Sequence, residues 1–391
     1  MTELTEPTEL NDGYGRLLAD LTTSGALADD WRGAFERAPR AAFVPEAVWV
    51  REEGAPGGRR RVVRSAEPER WRALVDADDV VVTQVDDGAD GGRGVATSST
   101  SQPTLVASML RHLDVTDGAR VLDIGTGTGW TSALLAARLG GEAVTTVEID
   151  PRISARAATR LAAAGLMPGR LVVGDGLAGR PEGAPYDHVH STAAVRHVPR
   201  AWLDQTRPGG TIVTPWGTPY ANVGLLRLVT GRPGGPSYGR FVGNAGFMWM
   251  RAQRPHDAVL FPSTEPDVCG PSAINPELAL WNVDVAFTIG LRVPDTSYVH
   301  IHDTPDPSAT YRIVLSDGEG SWASARYEAW DAPDAVRQWG PRRLWDEITM
   351  ARRWWEEQGC PELTRFGLTL TPDDRQELWL NTPDHPATPE N

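Results

Sequence analysis

The chain has 391 residues, of which 40% are hydrophobic and 23% charged, a composition typical of a globular protein with two domains or one enlarged domain. No stretch approaches the ~18 consecutive apolar residues of a membrane span, and the N-terminus lacks the basic and apolar segments of a signal peptide. We therefore expect a cytoplasmic protein without a membrane partner. The net charge of −14 argues against nucleic acid as a partner, and the two cysteines supply neither a disulfide framework nor a zinc site.

The negative charge is concentrated in the C-terminal third of the chain. Residues 256–391 carry 23 acidic residues and 10 arginines, a net charge of −13, whereas residues 1–255 carry 29 acidic and 28 basic residues. We interpret this surplus as a solvated surface, with an acidic cradle for a basic peptide as the alternative.

The elements of the N-terminal part lead into a regular pattern of strands and helices. A helical stretch covers about 14–38, residues 51–70 predict an exposed insertion rich in Gly, Pro and Arg, and 86–94 predict a loop. From residue 106 strands and helices alternate, which predicts an α/β fold with a doubly wound, mostly parallel sheet. The predicted strands are 120–124, 143–149, 171–173, 186–190 and 211–214, the helices are 131–139, 153–164 and 201–205, and 223–230 with 247–251 form a candidate antiparallel edge pair.

The pattern changes after about residue 255. Two hairpins are predicted, 311–315 with 321–327 and 366–371 with 377–380, on either side of a helix over 341–358. We therefore predict an α/β domain with an N-terminal helical segment over 1–255 and an additional α+β domain over 256–391. Apolar residues at helical spacing predict that one face of the helix is buried: Leu344, Ile348, Ala351 and Trp355.

A glycine-rich turn directly follows the predicted strand 120–124 and opens the next helix. Glycines at this point let a ligand approach the backbone and the helix N-terminus closely. A dinucleotide-binding GxGxxG motif would need glycine where Trp130 or Ser132 stands, and no P-loop exists because the chain has no lysine. The spacing GxGxG is instead typical of class I S-adenosylmethionine-dependent methyltransferases. The residues of the turn are Gly125, Thr126, Gly127, Thr128 and Gly129.

Acidic residues follow the next two strands, where such a cofactor site needs them. Glu148 ends the second strand, where a carboxylate can bind both ribose hydroxyls, and Asp175 follows the third, where an acid can read the adenine amine. Asp123, on the first strand, is predicted either to order the glycine loop or to cap it. His188 and His190 have no carboxylate at ligand spacing, so we expect no metal site.

Over about residues 20–255, these motifs resemble the protein-L-isoaspartate O-methyltransferases. The segment PRAAFVP at 39–45 is similar to that family's PRxxFVP, STSQP at 99–103 to its TISxP loop, and VLDIGTGTGW at 121–130 to its VLxIGTGSGY. The elements VEID, GDG, QTRPGG and TPWG follow in the family's order. The resemblance implies a class I methyltransferase fold, S-adenosylmethionine as cofactor with S-adenosylhomocysteine as its product, and methylation of a carboxylate.

The resemblance also implies roles for particular residues. Ser101 matches the active-site serine, in the loop that covers the transferred methyl and the acceptor carboxylate, and Thr100 is expected to share that role. The expected cofactor contacts are Asp123, Gly125, Thr126, Gly127, Thr128, Gly129, Glu148, Ile149, Asp175 and Gly176, and the expected substrate contacts are Gln84, Ser99, Gln102 and Trp216.

The chain departs from the family pattern around the acceptor. Residues 82–88 replace the usual approach to the serine, Trp216 replaces a valine, and 256–391 is expected to have no counterpart in the housekeeping repair enzyme. A branch of the family that modifies ribosomally made peptides (lanthipeptides, lasso peptides and graspetides) is similar in its QVDDG and SSxSxP segments. It also shares an extension with RLW, RFGLT and WL elements, and the corresponding segments here are 84–88, 98–103, 343–345, 365–369 and 379–380.

That branch implies methylation of an L-aspartate side chain in a precursor or macrocyclised peptide. The following backbone nitrogen then attacks the ester to give an aspartimide. Repair methylation of isoaspartate in damaged proteins is the first alternative, and a small-molecule methyltransferase and a non-catalytic peptide-binding module are two more. The C-terminal domain is predicted to recognise the peptide, and the oligomeric state stays open, with a monomer slightly favoured.

Overall fold

The computed structural model describes residues 12–255, 262–279, 282–302 and 311–389. The chain divides into two compact units, the first comprising Met1–Ala193 with Pro199–Val213 and the second Ala194–Val198 with Thr214–Asn391. Within the described ranges, no helix combines the length and the apolar character that crossing a bilayer requires.

The first unit begins with helices and a small antiparallel sheet of strand order β2-β1-β3-β4. The predicted helical stretch over 14–38 is divided in two, because Gly25 takes a φ of +72° between the helices. The predicted insertion over 51–70 is mostly exposed, as expected, but its middle is a strand whose Val62 is fully buried. The elements are α1 (Asp12–Thr23), α2 (Asp29–Arg37), β1 (Ala47–Arg51), β2 (Arg59–Val63), α3 (Pro68–Asp76), β3 (Val81–Val85), β4 (Ala96–Thr100) and α4 (Pro103–Leu113).

The rest of the first unit is the predicted doubly wound parallel sheet. Its strand order is β7-β6-β5-β8-β9, and each neighbouring pair is parallel. The central strand β5 is buried along its whole length, as a parallel strand covered on both faces must be. The elements are β5 (Val121–Ile124), α5 (Trp130–Leu139), β6 (Val144–Glu148), α6 (Pro151–Ala163), β7 (Arg170–Val173), β8 (Tyr186–Ser191), α7 (Arg200–Asp204) and β9 (Thr206–Trp216).

The second unit is an α+β arrangement with two antiparallel runs of strands. Their orders are β18-β17-β11-β10 and β12-β16-β15-β14-β13. The elements are β10 (Gly224–Val229), β11 (Ser237–Asn244), β12 (Val268–Gly270), α8 (Val283–Arg292), β13 (Ser297–His302), β14 (Tyr311–Ser316), β15 (Trp322–Arg326), β16 (Val336–Trp339), α9 (Leu344–Glu357), β17 (Phe366–Leu370) and β18 (Gln376–Leu380).

Strand pairing places the division of the chain earlier than the predicted boundary at residue 255. The predicted partner of 223–230, residues 247–251, is wrong, because β10 pairs with β11 instead. The other edge of β11 pairs with β17, from Ser237 opposite Leu370 to Arg240 opposite Gly367. Backbone hydrogen bonds thus tie 224–244 to the C-terminal hairpin, so the second compact unit takes in residues from Thr214 onward.

Helix α9 supplies the core of the second unit. Its predicted apolar face is confirmed, since each residue of that face is at most 8% exposed. The face packs with α8 and with residues of β14, β15 and β16, among them Ile313, Ala323 and Val336. The buried residues of the face are Leu344, Ile348, Ala351 and Trp355.

Candidate functional site

The glycine loop joins the carboxyl end of β5 to the N-terminus of α5. Gly125, Gly127 and Gly129 take φ values of +85°, +55° and +91°, a region that favours glycine. At Gly129 a side chain would also meet Leu161, whose Cγ lies 3.1 Å from an ideal Cβ position. The loop therefore depends on glycine for its conformation and brings bare backbone to a helix N-terminus, where anionic and polar ligands bind.

Glu148 connects the loop to the neighbouring strand β6. Its Oε2 accepts a hydrogen bond of 2.9 Å from the Gly127 amide, and its Oε1 accepts one of 3.0 Å from the Asp150 amide. The two oxygens of this carboxylate thus hold the glycine loop against the end of the strand. Thr126 reinforces the junction through a 2.7 Å hydrogen bond between its Oγ1 and Thr146 Oγ1. Ile149, the next residue, is 40% exposed.

Asp175 and Gly176 follow β7 at the same edge of the sheet, since the carboxyl ends of parallel strands share one edge. The Asp175 side chain is exposed, and its Oδ1 accepts a 3.0 Å hydrogen bond from the Leu177 amide. The Gly176 carbonyl accepts a 2.7 Å bond from Trp202 Nε1. Successive ends of β5, β6 and β7 thus carry the glycine loop, Glu148 and Asp175, the order in which the sequence predicts cofactor contacts.

Asp123 lies beneath this edge, with its carboxylate fully buried in the sheet. Its Oδ2 accepts hydrogen bonds from Ser132 Oγ at 2.6 Å and Thr146 Oγ1 at 3.2 Å, and its Oδ1 lies 2.9 Å from His190 Nδ1. These contacts join β5, β6, β8 and α5. The observed partners of Asp123 are side chains of the sheet and of α5. Its contact with the cofactor stays a prediction.

The acceptor loop, residues 98–102, lies against the glycine loop. Thr100 is 2% exposed and its Oγ1 donates a 3.3 Å hydrogen bond to Thr128 Oγ1. The Ser99 carbonyl oxygen lies 3.8 Å from an ideal Cβ position on Gly127. Ser101 is half-buried, and in the described part of the chain its hydroxyl has no hydrogen-bond partner. Its hydroxyl is therefore available to a substrate beside the loop.

Two glutamines, Gln84 on β3 and Gln102 at the end of the acceptor loop, hold neighbouring elements. The Gln84 amide accepts a 2.9 Å hydrogen bond from Thr97 Oγ1 and donates one of 3.2 Å to Asp150, which caps α6. Gln102 donates a 3.2 Å bond to Asp78, whose other oxygen accepts from the Thr104 amide at the start of α4. Sequence reasoning missed both capping acids.

Trp216 is the last residue of β9, in the part of that strand from Thr214 onward that belongs to the second unit, and it is 3% exposed. Its ring packs edge-on against Phe241 at 5.4 Å and Phe287 at 6.0 Å between centroids. These contacts place it in an aromatic core, and its substrate contact stays a prediction.

Arg40 is a further residue of the site that sequence reasoning missed. The side chain is fully buried, and its guanidinium donates to the carbonyls of Thr100 and Ser101, each at 3.0 Å. Burial lowers the pKa of Arg40 to about 10, so the group stays charged at neutral pH. Three further carbonyls accept from it, those of Val75, Ala77 and Asp79 at 3.0, 3.0 and 2.6 Å.

Trp130 extends this contact to the glycine loop. The Arg40 guanidinium lies 5.6 Å from the centroid of the Trp130 ring, and Trp130 Nε1 donates a 2.9 Å hydrogen bond to the Ala38 carbonyl. Since Trp130 begins α5 directly after Gly129, one buried cation contacts both the acceptor loop and the helix behind the glycine loop. The sequence feature that could have indicated this role is the position of Arg40 inside the otherwise apolar segment 39–45.

Replacing Arg40 by methionine is expected to destabilise the protein by about 3 kcal/mol or more, because each buried carbonyl left unpaired costs about 1–3 kcal/mol. Chemical denaturation of the full-length protein followed by tryptophan fluorescence measures the change. The matched control is Arg37→Met, at an exposed arginine on α2, which should change stability by less than about 0.5 kcal/mol. Equal stability of the two variants would contradict the role given to Arg40.

Comparisons with known proteins show similarity to one family. The family model described as protein-L-isoaspartate(D-aspartate) O-methyltransferase matches residues 86–229. The chain is similar to protein-L-isoaspartate O-methyltransferase 1 of Rhodopseudomonas palustris (strain HaA2), with 37% identity over 196 residues, half of this chain and 75% of that protein. It is 45% identical over 129 residues to the Methanoculleus marisnigri enzyme of that name, and this match covers 33% of this chain and 57% of that protein.

A solved structure of a protein-L-isoaspartate O-methyltransferase shares the fold, with a TM-score of 0.52 and 20% identity over 94% of this chain and 100% of that one. A match of that extent includes residues after 255, so the expectation that the extension has no counterpart among the repair enzymes is wrong as a statement about fold. The sequence matches to M. marisnigri and Anaeromyxobacter sp. (strain Fw109-5) span about three fifths of each relative. On the match that covers 75% of the R. palustris protein, the chain belongs to the protein-L-isoaspartate O-methyltransferase family.

Proposed function

We propose that this protein is an S-adenosylmethionine-dependent O-methyltransferase that esterifies a side-chain carboxylate of a peptide or protein. The observation that carries the proposal is the contact between the two predicted loops. The glycine loop and Glu148 present backbone and carboxylate at the end of the parallel sheet, and the acceptor loop packs on them through Thr100 and Thr128. Family membership supports the same reaction.

The proposed reaction depends on the position of the acceptor carboxylate more than on proton transfer. Bound S-adenosylmethionine supplies an electrophilic methyl group on a sulfonium. An acceptor carboxylate is already ionised at neutral pH, so no general base is needed. The chain's residues contribute by holding one carboxylate oxygen in line with the methyl and by excluding water from the two loops. The Ser101 hydroxyl is the group placed to donate a hydrogen bond that orients the acceptor.

Isoaspartate is the acceptor that the comparisons support best. The relatives are named protein-L-isoaspartate O-methyltransferases, and so is the solved structure whose fold extends over 94% of this chain. On this proposal the protein acts on isoaspartyl residues of damaged proteins or peptides.

A second candidate is methylation of L-aspartate in a ribosomally made peptide with closure to an aspartimide, and the feature that motivates it is the altered turn before the acceptor loop. Asp86, Asp87 and Gly88 all take positive φ, and the Asp86 carboxylate accepts hydrogen bonds from the Gly94 and Val95 amides at 2.8 and 3.0 Å. The departure from the family pattern is therefore an ordered turn that borders the acceptor loop. Attack by the following backbone nitrogen on the ester would expel methanol. The second unit is proposed to recognise the peptide.

Intact-mass spectrometry of two otherwise identical peptides, one with isoaspartate and one with L-aspartate, tests both candidates. With S-adenosylmethionine present, the isoaspartyl peptide is expected to gain about 14 Da per methyl. A gain on the aspartyl peptide followed by a net loss of about 18 Da would establish the second candidate instead. A peptide lacking both residues is the control, and no mass change on either test peptide would contradict the proposed function.

Replacing Ser101 by alanine should lower kcat by about 10- to 100-fold, since it removes a hydrogen bond to a charged acceptor. Affinity for S-adenosylmethionine, measured by calorimetry, should stay unchanged. The exposed Ser65, whose backbone amide rather than its hydroxyl makes its hydrogen bond, provides the control Ser65→Ala. An unchanged kcat, or a parallel loss of cofactor affinity, would remove Ser101 from the acceptor site.

A further inference from the structure

An arginine-lined groove of about 860 Å³ lies in the first unit, between the β3–β4 turn, the β1–β2 hairpin and helix α6. Its basic residues come from two places that are about 90 positions apart in the sequence. Its arginines are Arg59, Arg60 and Arg61 on β2 and Arg152, Arg156 and Arg160 on α6.

The three arginines of α6 recur every four residues, so they share one face of the helix. None of them forms an ion pair with any carboxylate in the part of the chain that the structure describes. Burial, with the nearby charge of Arg156, lowers the pKa of Arg160. Like charges at this spacing are unfavourable in the free protein, and an anion in the groove would relieve that repulsion.

The arginines of β2 are not equivalent. Arg60 is neutralised by ion pairs with Glu52 and Glu67, both at 2.6 Å. Arg59 Nε donates a 2.8 Å hydrogen bond to the Gly94 carbonyl, and Arg61 lies 5.9 Å from the Trp49 ring centroid. These two keep their charges toward the groove without a carboxylate partner among the described residues.

Three acidic residues also line the groove, and two of them are engaged by backbone amides. Glu46 Oε1 accepts from the Ser65 amide at 2.8 Å, and Asp86 accepts from the Gly94 and Val95 amides. Asp90 is exposed at the rim. The groove therefore holds five arginines that form no ion pair with a described residue. Of its three carboxylates, only that of Asp90 accepts no hydrogen bond from a backbone amide among the described residues.

The groove continues toward the candidate site. A smaller cavity is lined by Arg156 and Arg160 and also by Gln84, Gly127 and Thr128. The same two arginines thus border both the groove and the glycine loop. A chain that reached the acceptor loop from this side would place its neighbouring residues among the arginines.

We propose that this groove binds carboxylates that flank the acceptor residue, so that the preferred substrate is an acidic peptide. The proposal rests on the proposed function and names the substrate class of that site. A basic peptide was the alternative interpretation of the acidic surplus of residues 256–391. The groove is a separate surface, and its arginines are balanced by acids elsewhere in the near-neutral first 255 residues.

Steady-state kinetics of the full-length protein on three peptides tests the proposal. The peptides share the acceptor residue that the mass measurement identifies and differ only in flanking Glu, Gln or Arg. Each surface ion pair contributes modestly, and two or three together predict a KM about tenfold lower for the acidic than for the neutral peptide. The difference should shrink as salt rises. Equal KM values for the three peptides would overturn the proposal.

The double variant Arg152→Gln, Arg156→Gln should raise KM for the acidic peptide and largely remove the discrimination between the acidic and the neutral peptide. The control is Arg232→Gln, Arg353→Gln, two exposed arginines of the second unit, which should keep the full discrimination. Unchanged discrimination in the groove variant, or a loss of kcat without a rise in KM, would overturn the proposal.

Fluorescence anisotropy with labelled peptides separates this proposal from the proposed function, because binding needs no turnover. Acid-selective binding that depends on Arg152 and Arg156 would support the groove even if no peptide is methylated. If the peptides are methylated with the same KM whatever their flanking charge, the proposed function stands and the proposal for the groove is overturned. Stronger binding of a labelled single-stranded oligonucleotide than of the acidic peptide at matched charge would assign the groove to a phosphate ligand and also overturn it.

Discussion

The buried guanidinium of Arg40 imposes the strongest single constraint on the acceptor side of the site. A charge removed from water must find hydrogen-bond acceptors, and here five backbone carbonyls supply them. Two of these belong to Thr100 and Ser101, so the backbone of the acceptor loop faces inward. The Thr100 hydroxyl then meets Thr128, and the Ser101 hydroxyl keeps its hydrogen-bonding capacity for a ligand.

The cofactor side depends on the parallel sheet. Strands β5, β6 and β7 end at one edge, and each end carries one part of the predicted cofactor site. The hydrogen bond from the Gly127 amide to Glu148 fixes the glycine loop against β6, and the buried Asp123 network fixes β5 below it. Rigid strands thus position the loops, which is how α/β folds generally hold ligands.

Local patterns predicted the parallel half of the fold and the face of α9, since buried strands, a glycine turn and helical spacing are visible within short windows. The mispredicted elements depend on distant pairing. Three arginines in sequence looked like a solvated insertion, although Val62 beside them is buried when β2 pairs with β1. The partner of β10 was misplaced because β11 is also held by β17, about 130 residues further along the chain.

The same distinction applies to the site. The glycines, Glu148 and Asp175 lie within a single strand-helix succession, and sequence spacing placed them at one edge. The carbonyls that bind Arg40 lie 35 to 61 residues further along the chain. The arginines of the groove come together from two separate elements, β2 and α6. The net charge of the first 255 residues gave no sign of the groove, because acidic residues elsewhere in that part of the chain offset its arginines.

The most direct test of the account is calorimetric titration of S-adenosylmethionine into the wild-type protein and into Glu148→Ala. Glu148 is predicted to bind the ribose hydroxyls and is observed to hold the glycine loop, so its loss should weaken binding by at least about tenfold. The exposed Glu142, six residues earlier, provides the control Glu142→Ala, which should bind as the wild type does. No binding to the wild type, or equal binding to both variants, would contradict a cofactor site at this edge of the sheet.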